Sequence, residues 1–226
     1  MKKTIFVLLF TFFVLCFSQL AQGSNIRLGL KASPLVAWLK PDTDNYDSEG
    51  LRLGFSYGLK TEFQLAEHYS FATGINITYF GGKLSYPWIY ENNTGVMERT
   101  YRLQNLEIPL TFKMKTREIG YNTYFGVFGI GNSVNLRSRS NDRFSGTNTT
   151  IERSDVDIKQ DISFLRVALI VGVGFEHSLG GNTALTGGIT FNNGFTNILK
   201  GNNPANNNRE NNAKANYLEV SFGVLF

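Results

Sequence analysis

The residues able to do chemistry in this chain are charged groups at alternating positions. Arg27, Lys31, Arg52, Lys60, Glu62, Glu107, Lys113, Arg166, Glu176 and Glu219 each occupy the polar phase of a stretch in which polar and apolar residues alternate. A period of two places them on one face of a β-strand whose other face is apolar. If the apolar faces meet lipid, the charged faces converge on an enclosed interior. Charges there are tolerated only when paired and hydrogen-bonded. The pattern predicts a lumen charge network that fills the interior, in preference to a proton or ion pathway.

Other chemistry finds little support. The 2 histidines are His68 and His177, both beside short turns. Glu176-His177-Ser178 is a consecutive tripeptide, and neighbours along a strand point to opposite faces, whereas a catalytic triad needs convergence in space and an oxyanion site. The chain has 1 cysteine, Cys16, no His/Cys cluster with metal-ligand spacing, and no glycine loop in a strand-to-helix context. The reading is no enzyme, no metal and no cofactor, with a lipid-modifying hydrolase as the remote alternative. Asn-x-Thr triplets at Asn76, Asn92 and Asn148 are read as coincidental.

Residues 1–23 look like a cleaved signal peptide: Met1-Lys2-Lys3, an apolar run from Ile5 to Phe17, and small residues at Ala21-Gln22-Gly23. The run is shorter than the roughly 20 residues a spanning helix needs. Cys16 lies within it and lacks the small residues that lipoprotein processing wants. The formal charge of +4 falls to +2 when Lys2 and Lys3 leave, since residues 1–23 hold no acid. That balance gives no case for a nucleic-acid partner. Residues 24–226 then form one domain, with both termini periplasmic if it is an outer-membrane barrel.

Eight segments alternate. The clearest runs from Leu51 to Leu65, with Leu53, Phe55, Tyr57, Leu59 and Phe63 opposed to Arg52, Gly54, Ser56, Lys60 and Glu62. Fifteen alternating residues exceed the 5 or 6 of an ordinary strand and suit a tilted membrane strand of about 9–11. Similar segments begin at Ile26, Tyr69, Asn105, Leu165, Thr183 and Asn216. One from Tyr121 to Asn135 is blurred by glycine, so the sides taken by Phe125 and Phe128 stay open. Pro109 cannot donate to a ladder, which predicts a bulge or a missing bond. Connections alternate between short turns and long polar loops over 35–50, 81–99, 136–163 and 198–215, the last asparagine-rich and expected to be mobile. The fold class expected is an all-β, eight-stranded antiparallel transmembrane barrel. Phe63, Tyr69, Phe71, Phe112, Tyr121, Phe175 and Phe226 should form an aromatic girdle at its short-turn end.

Leu106-Glu107-Ile108-Pro109-Leu110, the glycine-rich fifth and sixth segments, Gly187-Gly188-Ile189-Thr190 and the final Phe226 together resemble the PorT-type outer-membrane β-barrel family of Bacteroidetes. The resemblance implies the barrel fold and an outer-membrane location, and more weakly an accessory role in type IX secretion or gliding. An interior of eight strands is just wide enough for side chains, which argues against a general porin. The function expected is structural or surface-interacting. The partners expected are outer-membrane lipid and lipopolysaccharide, a possible secretion or surface protein, and the barrel assembly machinery, which would recognise Phe222, Val224 and Phe226 on one face of the last strand. Arginines of the third long loop, Arg137 and Arg139 among them, suit anionic headgroups.

Overall fold

The computed structural model describes residues 26–91, 93–147, 149–206 and 209–226. The expected signal peptide, Asn92, Asn148, Asn207 and Asn208 lie outside the described residues. Eight long strands form the wall: β1 (Ile26–Pro41), β2 (Arg52–Ala66), β3 (Tyr69–Tyr90), β4 (Asn93–Lys115), β5 (Asn122–Gly146), β6 (Leu165–Gly180), β7 (Thr183–Gly194) and β8 (Ala213–Leu225). Each pairs antiparallel with its neighbours in sequence, and β8 pairs with β1 from Gly29↔Leu225 to Pro41↔Ala213. That last ladder closes the barrel, so the wall has no free edge. Phe226 extends it, exchanging both backbone hydrogen bonds with Leu28.

Alternation sets the facing as expected near the short turns. Leu28, Leu30, Leu59, Ile75, Leu110, Val173, Ile189 and Phe222 are exposed on the outside, while Glu62, Lys113, Arg166, Glu176 and Glu219 are buried within. Rings of the girdle pair across strands, Tyr69 with Phe112 at 5.6 Å and Phe63 with Phe71 at 6.5 Å between centroids. The β6–β7 turn is tight because Gly180 and Gly181 take φ of 103° and 60°, values that favour glycine.

The facing of β5 is resolved by a bulge. Gln104 pairs with Arg137 but Asn105 pairs with Asn135, so one extra residue, Leu136, interrupts the ladder. Below it Phe125 faces the lumen and Phe128, 56% exposed, faces out. Above it Ser138, Ser140, Asp142 and Phe144 become the buried set. At Pro109 the β3–β4 register is unchanged, but the pairs between Thr73↔Leu110 and Asn76↔Glu107 are missing. The expected local loss of pairing is there, without a bulge.

The long loops require correction, because most of their residues are strand. β3, β4 and β5 have 22, 23 and 25 residues, about twice what the hydrocarbon layer needs. The β3–β4 ladder runs to Tyr90↔Asn93, and Thr150–Asp157 forms a further strand on β5. In these extensions the alternation reverses. Leu35, Leu39, Phe80, Leu84, Tyr86, Met97, Tyr101, Leu103, Phe144 and Tyr217 turn inward and bury each other, while Lys83, Glu98, Arg102 and Arg143 turn outward. A wall surrounded by water must place its apolar side inside, so the hydrophobic phase inverts where lipid ends.

The asparagine-rich segment also differs from expectation. Ile198 and Leu199 are buried in that core, and Asn203 donates to Tyr46 Oη at 3.0 Å and to the Pro87 carbonyl at 2.9 Å. Two apolar anchors and the bonded amides of Asn203, Asn206 and Asn211 make its described residues a cap over the barrel mouth. Its low-complexity composition masked those anchors.

Candidate functional site

The lumen is built in three levels. Nearest the short turns, β1, β2, β4 and β6 bring together Arg27, Lys60, Glu62, Lys113 and Glu176. Lys113 Nζ lies between Glu62 Oε1, at 2.5 Å, and Glu176 Oε1. Glu62 also meets Lys60 at 2.8 Å, and Glu176 meets Arg27 at 2.7 Å. The sequence reading missed Lys115, which lies 3.2 Å from both Glu62 and Glu176. It keeps the inward parity of Lys113 but stands at the end of the strand, where a turn was expected. The Phe125 ring lies 4.1 Å from Lys113 Nζ and completes the level. Four cations thus surround two carboxylates.

The middle level is polar and neutral. Lys31 pairs with Glu219, and Glu107 Oε2 accepts from Tyr217 Oη at 2.7 Å and from Asn192 Nδ2 at 3.3 Å. Arg166 lies 3.9 Å from Glu107, donates to Asn192 Oδ1 and the Ala215 carbonyl at 2.6 and 2.8 Å, and packs on the rings of Phe80 and Tyr217. Asn192 and Tyr217 were not singled out from sequence, although both keep lumen parity. Between the two levels is a cavity of about 90 Å³ lined by Lys31, Lys60, Asn76, Glu107, Thr190 and Glu219. Above the middle level lies the third, the apolar core of the extensions. Glu219→Leu should strand Lys31 and lower stability by about 1–3 kcal/mol, less than a fully buried break because Lys31 remains 21% exposed. Urea unfolding in lipid vesicles measures it.

Arg52 does not belong to this network, which corrects the sequence reading. It begins β2, whereas the β2–β3 ladder starts only at Phe55↔Tyr79. Held by β1 through Ala37↔Arg52 but not yet by β3, the residue sends its side chain beside Gly81, its Cδ 3.1 Å from where a Cβ there would sit. It joins Arg102, Arg137 and Arg139 in a groove at the outer surface.

Above the lipid-facing belt, Arg99 makes a two-pronged pair with Asp142 at 2.8 and 2.9 Å. Burial pushes the Tyr86 phenol beside it up to about 12. A folded value above the unfolded value of about 10 means stability that is complete below pH 10 and lost as pH rises through 12. Tyr86→Phe should abolish that contribution, leaving a flatter alkaline unfolding curve in a tyrosinate absorbance titration.

The two histidines are separate small sites. His68 Nε2 lies 3.7 Å from Glu67, and His177 Nδ1 is 3.0 Å from Asn122 Oδ1. No group of three or more His, Cys, Asp or Glu side chains able to hold a metal is present among the described residues.

A closed eight-stranded barrel with an apolar outer belt and a filled, charged lumen defines a transmembrane β-barrel of the bacterial outer membrane. Residues 17–200 match the family described as outer membrane protein beta-barrel domain, and the chain belongs to that family. Among solved structures it is similar to Neisserial surface protein A, NspA, at 13% identity and TM-score 0.45, covering 88% of this chain and 95% of that one. It is also similar to OprG from Pseudomonas aeruginosa, at 11% identity and TM-score 0.47 with the same shares, 88% and 95%. A third is Ail, the attachment invasion locus protein of Yersinia pestis, at 11% identity and TM-score 0.31, covering 88% and 98%. No curated protein matches the chain.

Proposed function

We propose that this barrel serves a structural or surface-interaction role, with its lumen closed to general solutes, its long hairpins outside the cell and both termini in the periplasm. The observation that carries it is the filling of the lumen: a charge cluster at one end and an apolar core with an asparagine-rich cap at the other. Reconstituted protein should give no conductance steps in planar bilayers, and stable open-channel steps would reject the closed lumen. Orientation is tested by Glu152→Cys and Glu67→Cys, on opposite ends and both largely exposed. An impermeant maleimide should label the first on whole cells and the second only after lysis.

The reading includes no catalytic role, supported by the separate, small environments of His68 and His177. The finer kinship to the PorT-type family, and with it an accessory role in type IX secretion or gliding, rests on the Leu106–Leu110 motif. Co-purification with secretion components tests it. Phe222, Val224 and Phe226 share the lipid-facing side at the end of the barrel, which suits recognition by the assembly machinery. Phe226→Ala should slow insertion in a pulse-labelling and fractionation experiment, and wild-type kinetics would rule that role out.

A further inference from the structure

The outer surface carries one strongly charged feature that the lumen does not explain. Arg52, Arg102, Arg137 and Arg139 line a groove of about 310 Å³ between the upper parts of β2, β3, β4 and β5. Arg102 and Arg139 stand directly opposite each other in the β4–β5 ladder, a placement that is destabilising for like charges. Asp155 relieves part of it, accepting from Arg102 at 2.7 Å and lying 3.8 Å from Arg139. It does so from a left-handed backbone, φ 55°, which an aspartate adopts at some cost. Asp157 lies 3.8 Å from Arg139. Arg52 and Arg137 make no ion pair with a described carboxylate, so four guanidiniums face two carboxylates. The Nε atoms of Arg102 and Arg139 are buried without a hydrogen-bond partner among the described residues.

The level of this groove is what points to its ligand. On β3 the continuous run of apolar outward residues ends at Tyr79, and on β4 it ends at Leu106, immediately below Gln104 and Arg102. Gln104 Nε2 donates to Tyr79 Oη at 3.2 Å, a polar tip on an apolar ring as expected where hydrocarbon meets headgroups. Leu53, 81% exposed, lines the same groove. Uncompensated guanidiniums therefore adjoin acyl-contacting surface at the boundary of the leaflet on the long-hairpin side. Planar guanidinium forks suit phosphate oxygens geometrically as well as electrostatically.

We propose that this groove binds the phosphate of an outer-leaflet glycolipid, its acyl chains lying along Leu53 and Tyr79. The proposal rests on the outer-membrane reading and its orientation, and names the lipid contact that reading implies. The phosphate completes the charge balance that Asp155 and Asp157 leave unfinished, tying the upper ends of β2, β4 and β5 to the leaflet.

The test uses the full barrel in detergent with added diphosphoryl lipid A, observed by native mass spectrometry. Wild-type protein should hold one lipid, and the R52Q/R137Q variant should bind at least tenfold more weakly, since it removes the two arginines without carboxylate partners. Fully dephosphorylated lipid should bind wild type no better than it binds the variant. Excess inorganic phosphate should not displace the lipid; complete displacement would show a free-anion site and overturn the lipid assignment. Equal affinity of wild type and variant would overturn the site. If the double variant loses heat-modifiable migration, the exposed bulge variant R137Q alone replaces it, with the same two outcomes on a smaller scale. Maleimide labelling of the same proteins in cells separates the two readings: wrong orientation defeats the outer-leaflet assignment and the proposed topology together, whereas correct labelling with unchanged lipid affinity defeats the groove alone.

Discussion

Glu62→Leu should lower the stability of the barrel by about 3–5 kcal/mol, the range for breaking a buried ion pair by removing one partner. Glu62 is 1% exposed and meets Lys113, Lys60 and Lys115 at 2.5, 2.8 and 3.2 Å. Its loss leaves Glu176 alone against Arg27, Lys60, Lys113 and Lys115. Glu62→Gln keeps the shape and some hydrogen bonds but removes the charge, so it should recover only a small part of the loss. Lys113→Met in the Glu62→Leu background should recover much more, because it removes the fully buried cation and leaves an apolar chain against Phe125. Urea unfolding in vesicles, followed by the fluorescence of Trp38 and Trp88, measures all three. If Glu62→Leu and Glu62→Gln both lie within about 0.5 kcal/mol of wild type, the lumen is hydrated enough that the network has no structural weight.

The second large effect belongs to the opposite end. Phe144 is 1% exposed, packs against the Tyr90 ring at 5.7 Å, and belongs to the apolar core of the extensions. Phe144→Ala should cost about 3–5 kcal/mol through lost burial and the cavity left behind. The loss should be local. Hydrogen exchange is expected to accelerate in residues 93–104 and 137–157 while the segments within the lipid belt stay protected, and heat-modifiable migration should persist. Uniform acceleration along every strand would show instead that the extensions and the membrane barrel unfold as one unit.

These two sites were not equally legible in the sequence. The charge cluster was, because period-two alternation fixes facing without knowledge of neighbours: Glu62, Lys113 and Glu176 reach the lumen by parity alone. Arg52 shows where that logic stops. Parity fixes a side chain's direction only while the strand is held on both sides, and β2 begins before β3 joins it. The extensions look like loops in the sequence because outward-facing apolar residues are the mark of a membrane strand, and beyond Tyr79 and Leu106 most large apolar residues face in. Leu84, Tyr86, Met97, Tyr101 and Leu103 carry a clear period of two in the opposite phase. The β5 bulge was hidden for a different reason, since Leu136-Arg137 contains no residue that marks an inserted position. Asn192 and Tyr217 were legible in position but not in role, which depends on partners brought from β4 and β6.

The inversion of phase along single strands bears on how such a chain reaches its native state. Before closure, β1, β3, β4 and β8 each carry two apolar stripes pointing in opposite directions. A flat intermediate laid on the membrane surface satisfies one stripe and leaves the other against water, and turning it over only exchanges the two. No partly assembled sheet satisfies both in one medium. The sequence therefore sets a conflict that only the β8–β1 ladder, with lipid around its lower half and water around its upper half, resolves. Closure and insertion are in that sense a single event.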